Sequence, residues 1–268
     1  MSLNIGKALQ DGFDRTVTRN GLLLIGVFVA FGALNTVISQ SVSLGVQQWF
    51  QGISAQAVQQ SSFGGFGAAQ TVLAVPLPLP VVLLLALGTA LLAEALRIVG
   101  IRAFAAEQTR SPTDPTLRNG LPLAMLNGAV GGTIATVLTY LGTALLILPG
   151  VFVALSFFFV RQEIALQNKN FVAALRDSWE LSRGERLELF GLGALVFVVS
   201  VLASSPATVL FFLSPLPALA LGMITTGITT VFGIAVATCA YQQLQEDDQA
   251  PRTGSTVADS TQDDTVGV

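Results

Sequence analysis

The distribution of charge along the chain constrains its fold more than any other feature. No Asp, Glu, Lys or Arg occurs from residue 20 to 93, from 119 to 160 or from 189 to 245. A membrane-spanning helix needs about 20 consecutive, mostly apolar residues, so each stretch is long enough for two spans joined by a turn. A soluble chain would have to bury all three stretches in one core, and only 11% of its residues are charged, against about 25% in an ordinary soluble domain. The fold class expected is all-α: a polytopic integral membrane helical bundle.

Turn signals sit inside each stretch. Ser-, Gln- and Gly-rich residues 40–70 close with PLPLP at 76–80, Pro149–Gly150 divides the second stretch, and SSP at 204–206 with SPLP at 214–217 divides the third. These predict spans at about 21–39, 79–103, 121–147, 151–168, 187–205 and 217–243. All thirteen Lys and Arg residues lie in the N-terminal segment, in 97–118, in 161–186 or in the tail. Basic residues concentrate in cytoplasmic loops, so both termini are expected in the cytoplasm, the chain being multi-pass in the cell membrane. The first apolar run starts only after residue 20 and is too long for a signal-peptide core, which predicts an uncleaved anchor. The integral membrane domain covers 1–244. The tail 245–268, rich in Asp, Glu, Ser, Thr and Gly and nearly free of large apolar side chains, is expected to be disordered.

Three segments outside the spans show helical periodicity. In 41–60, Val42, Val46, Trp49, Phe50 and Ile53 share one face opposite a Gln-rich one, the pattern of a helix lying flat on the outer leaflet. In 170–183, Phe171, Val172, Leu175 and Trp179 form an apolar stripe, and Arg176, Asp177, Glu180 and Arg183 surround it. Residues 3–17 copy the design with Ile5, Leu9, Phe13 and Val17. Both are expected as interfacial helices at the cytoplasmic surface, with Trp179, Arg176, Arg183 and Arg186 as lipid contacts, because Trp favours the headgroup level and Arg snorkels toward water.

A repeat is hinted at. RNGL occurs at 19–22 and at 118–121, SRGERLELFGL (182–192) takes the same place before the fifth span, and Ala8, Leu9, Asp11, Phe13 and Asp14 align with Ala174, Leu175, Asp177, Trp179 and Glu180. Three units, each a surface segment and two spans, would explain this; so would the shared chemistry of helix starts.

The stretch LPGVFVALSFFFVRQEIAL (148–166), followed by ALRDSWELSRG (174–184) and a new apolar run, resembles the membrane domain fused to some glycerophosphoryl diester phosphodiesterases and its stand-alone, uncharacterised archaeal relatives. The features that carry the resemblance are Pro149–Gly150, Arg161, Ala174–Leu175, Ser178–Trp179 and Leu181 to Gly184. It implies a multi-helix integral membrane domain; it does not imply phosphodiesterase activity, since the chain lacks the histidines and the metal-binding carboxylate cluster that such chemistry would need.

Four charges fall inside the predicted spans. Glu94 and Arg97 lie about 21 and 25 Å along the second, and Arg161 and Glu163 about 16 and 20 Å along the fourth, at 1.5 Å per residue. A lone charge at such depth costs at least about 2.5–3.5 kcal/mol, so Glu94 or Arg97 is expected to pair with Arg161 or Glu163, either as a structural pair or as a site for an ion, a proton or a headgroup. Gly128 and Gly132, with Gly142, Gly222 and Gly227, allow close helix contact, within the bundle rather than between copies. Thr225, Thr226, Thr229 and Thr230 would line a polar path or bond their own backbone.

With no His and a single Cys, Cys239, the chain lacks the usual acid–base and transition-metal chemistry, so no catalytic residue, cofactor or metal is expected. Neither a phosphate loop nor a dinucleotide fingerprint is present, and no nucleic-acid partner is expected. The expected role is that of a non-enzymatic, membrane-organising, lipid-interacting or accessory subunit, whose partners are membrane lipids and another membrane subunit or a homo-oligomer. The alternative is a transporter or permease subunit with a cytoplasm-facing polar site. A cavity reaching the charged residues distinguishes the two, since a scaffold needs none.

Overall fold

The computed structural model describes residues 3–53, 72–106 and 119–254. In order along the chain, the helices are α1 (Ile5–Val17), α2 (Arg19–Ile53), α3 (Leu79–Ala105), α4 (Leu121–Leu145), α5 (Ile147–Ser156), α6 (Val160–Gln167), α7 (Phe171–Leu181), α8 (Arg186–Phe211) and α9 (Pro215–Gly254). No strand occurs among the described residues. Six segments are long and apolar enough to cross a membrane: α2, α3, α4, α5 with α6, α8 and α9. The protein is a multi-pass membrane protein with an all-α bundle.

The spans form three antiparallel hairpins: α2 with α3, α4 with α5 and α6, and α8 with α9. The first hairpin packs on the second through α3 against α4 and α6, and on the third through α9 against α2 and α3. Between the second and third hairpins α8 touches α5 only lightly, and Phe159 packs against Tyr241 where the two meet. Leu and Val side chains such as Leu84, Leu126 and Val209 stay exposed around the bundle, as lipid requires. The main buried cluster gathers Phe159, Leu189, Leu192, Val236, Ala240 and Tyr241 under α1, at the end of the bundle where Lys and Arg gather, the charged end.

Several expectations are corrected. The fourth span starts at Ile147, not 151, and breaks at Phe157–Phe159 into α5 and α6. The chain turns at Leu146, so Pro149 lies in the first turn of α5, where a missing N–H is harmless. The fifth span does not stop before SSP but runs through Pro206 to Phe211. Proline deprives the carbonyl of Leu202 of its helical donor, and the Ser205 hydroxyl donates to that oxygen instead, at 2.8 Å. Residues 41–53 continue α2 rather than forming a separate flat helix; 54–60 lie outside the described residues. The last span continues to Gly254, so 245–254, read as disordered, is helical; 255–268 lie outside the described residues.

The two surface helices exist but dock differently from expectation. Each starts at an Asn that caps a backbone N–H, Asn4 for Lys7 and Asn170 for Ala173. Their buried faces are made of small residues, Ala8, Gly12 and Thr16 in α1 and Ala174 and Ser178 in α7. Phe13, Val17, Val172 and Trp179 remain exposed, and these outer positions are free to meet lipid. The correspondence noted between Ala8 and Ala174 thus extends to Asn4 and Asn170 and to Gly12 and Ser178. α1 docks on the third hairpin and α7 on the second. The surface segment expected in the middle unit falls outside the described residues.

Candidate functional site

Glu94, on α3, is 6% exposed and lies about 16 Å from the charged end of its helix. From α6, Arg161 donates to it through Nη2 at 2.8 Å and through Nε at 3.1 Å. Arg97, one turn along α3, adds a longer contact at 3.4 Å. One carboxylate therefore serves two guanidinium groups, and the trio carries one net positive charge. Room for it comes from α4: a Cβ at Gly132 would lie 2.6 Å from Arg161 Nη2, and one at Gly128 3.7 Å from Glu94 Oε2. The small-residue spacing on α4 makes a slot for an ion pair, as the packing within the bundle requires. Gly142 approaches Gly150 and Gly227 approaches Val29, also within the bundle.

Glu163 does not join this trio. It faces Lys169, whose Nζ donates to Glu163 Oε2 at 2.6 Å and also meets Asp177 at 2.7 Å, and the Tyr241 hydroxyl lies beside it. This second network ties α6 to α7. Burial works against the Lys169 ammonium, but its hydrogen bonds to Asp177 and Glu163 win, and its pKa is raised above the ordinary 10.5. A raised lysine pKa adds stability that is complete below the unfolded value and disappears as pH rises through the folded one. The melting temperature of the wild type will therefore fall more steeply above about pH 10.5 than that of Lys169→Gln; parallel curves would show that the network contributes nothing.

Of the expected lipid contacts, the structure brings two together. The Arg186 guanidinium lies over the rings of Phe152 and Trp179, at 4.3 and 4.9 Å from their centroids, and Trp179 also packs edge-on against Phe152. Arg176 pairs with Glu180 at the surface and Arg183 is exposed, both away from that stack. Sequence reasoning missed Arg102, which is buried and donates to the carbonyls of Ala165 and Asn119 and to Asn168 Oδ1, closing the charged end of α3 onto α6. Its signal was a cation one turn past Arg97, indistinguishable in sequence from a loop charge.

A cavity of about 460 Å³ reaches the trio. Arg97, Arg161 and Gln162 line its charged part, and Phe158, Leu192, Val196 and Phe197 line an apolar part. Gln162 is 5% exposed and its Oε1 has no hydrogen-bond partner among the described residues. All three hairpins line the cavity, and Phe197, on its wall, is 68% exposed. A second cavity, of about 520 Å³, lies nearer the opposite end and is lined by uncharged polar groups, among them Asn35, Gln40, Ser204, Thr208, Thr225 and Thr226. Thr225 and Thr229 donate to their own backbone, to Gly222 and Thr225, and still border the cavities. Among the described residues no group of three or more His, Cys, Asp or Glu side chains is placed to hold a metal ion.

A family model described as a domain of unknown function (DUF7847) matches residues 3–244. No curated protein and no solved structure matches the chain. The matched stretch runs from the first described residue to Leu244 within α9, taking in both surface helices, the three hairpins and the Glu94 trio. The chain belongs to the family of the domain of unknown function DUF7847.

Proposed function

We propose that the protein is a non-enzymatic, lipid-binding component of the cell membrane that holds an anionic headgroup at Arg97 and Arg161, with both termini in the cytoplasm. The observation that carries this reading is the excess positive charge on a cavity wall. Glu94 neutralises one guanidinium and leaves one charge unmatched beside the apolar part of the cavity. A charge in a low-dielectric site is costly without a counter-ion, and a lipid phosphate is the anion most abundant at that depth, with an acyl chain suited to Phe158, Val196 and Phe197. The clustering of Lys and Arg at one end of the bundle supports the orientation. The resemblance to the membrane domain of glycerophosphoryl diester phosphodiesterases, resting on residues 148–184, is part of the same reading.

Native mass spectrometry of the protein released gently from its own membrane tests it. The wild type will retain an anionic lipid, and Arg97→Gln, which keeps the Glu94–Arg161 pair, will lose it. A wild type that carries none rejects the reading. One observation favours a second reading, a transporter or permease subunit: the cavity that a scaffold does not need is present and reaches the charged trio.

A further inference from the structure

The two cavities lie on the same face of the third hairpin and nearly meet. Ser200 lines the cavity at Arg161, and Ser204, one turn further along α8, lines the other. On α9, Thr229 lines the first and Thr226 the second. At 1.5 Å per residue the neck between them is only about 6 Å long, and hydroxyl groups border it on both helices. The seam between α8 and α9 is closed by small residues: a Cβ at Gly222 would touch that of Ala207 and one at Gly233 would touch Val196, each at 3.9 Å.

Each cavity is large enough for several waters, at about 30 Å³ per molecule. A charged headgroup crossing the hydrocarbon region is opposed chiefly by the loss of its water, and two compartments with room for water, separated by a short neck bordered by hydroxyls, would lower that barrier. Phe197, on the cavity wall and exposed at the bundle surface, is a place where the acyl chains can stay in lipid while the headgroup moves. Arg97 and Arg161 mark the end of the route where an anion is held.

We propose that the α8–α9 seam is a route along which the headgroup of an anionic lipid passes between the two leaflets. The proposal rests on the lipid-binding reading above and adds movement to it.

The test uses the full chain reconstituted in phosphatidylcholine vesicles with a trace of phosphatidylethanolamine labelled on its headgroup by a fluorophore that dithionite bleaches; this lipid keeps its phosphate charge. Without protein only the outer leaflet bleaches. With the wild type, the inner-leaflet label is expected to be lost as well. In the Ser204→Leu, Thr226→Leu double variant the neck is filled and inner-leaflet protection returns, while native mass spectrometry still finds the lipid bound, which shows that the variant is folded. A wild type that retains lipid yet leaves the inner leaflet protected overturns the route and leaves the binding reading intact. Absence of both binding and movement overturns both. Release of phosphate trapped in the same vesicles would make the seam a conduit for soluble anions and would also overturn a route for lipid, as would a double variant that moves label as fast as the wild type.

Discussion

Glu94→Gln will destabilise the folded protein by about 3–5 kcal/mol, the cost of stripping a buried ion pair of one partner. The effect should exceed that of neutralising either arginine. Glu94 is almost fully buried and is the shared acceptor of Arg161 and Arg97. Its removal leaves two like charges side by side on the cavity wall, so repulsion is added to the lost attraction. Arg161→Gln leaves Glu94 the weaker contact with Arg97, and Arg97→Gln leaves the two hydrogen bonds from Arg161 untouched. The expected order of damage is therefore Glu94→Gln, then Arg161→Gln, then Arg97→Gln. Adding Arg161→Gln to Glu94→Gln should restore part of the loss, because it removes the repulsion. Thermal unfolding in mild detergent reads this out, with a fall on the order of 10 °C for Glu94→Gln. A Glu94→Gln protein that melts with the wild type would sink the argument that the trio is held by its carboxylate.

Legibility followed from how strongly each feature is forced by its surroundings. Hydrocarbon tolerates no unpaired charge, so the gaps between charged residues marked the spans, and the depth of Glu94 and Arg161 marked them as partners. Glu163 sits at a similar depth by sequence, but Lys169 and Asp177 come from the connection to α7 and from α7 itself, and periodicity cannot say which way a helix-end carboxylate turns. Prolines were the least reliable markers. Pro206 reads as a turn, yet a neighbouring hydroxyl replaces the lost bond, and Pro149 sits where its missing N–H is not needed. The cavity was not legible at all, because it depends on how three hairpins pack together, a property no local pattern encodes.

The surface helices show the limit of hydrophobic pattern most clearly, and Gly12→Val is the sharpest way to expose it. Of the apolar stripe of α1, Ile5 and Leu9 pack against the core but Phe13 and Val17 are exposed, and the buried docking face is Ala8, Gly12 and Thr16. Small residues carry little hydrophobic signal; their contribution is that they let two backbones meet. A Cβ on Gly12 would lie 2.5 Å from Val236 Cγ2 and 2.9 Å from Val236 Cα. A main-chain atom cannot swing aside, so a larger side chain must lift α1 from α9. The hydrogen bonds from Arg15 Nη1 to Phe104 O and Gln242 Oε1, and from Leu3 N to Glu185 Oε2, are then lost with the packing. Overpacking alone costs about 1–3 kcal/mol, and the loss of the docked face brings Gly12→Val to the top of that range or above it. Trypsin should then cut rapidly at Lys7 and Arg15, sites that a docked helix protects. Gly6→Ala is the control on the same helix: its Cβ would meet only Asn4 Oδ1, at 3.5 Å, and alanine is the better helix former by about 0.5–1 kcal/mol. Equal protection of all three proteins would mean that α1 is held by its exposed apolar residues in the lipid and not by contact with α9; selective cleavage of Gly12→Val places the anchor in the small-residue face.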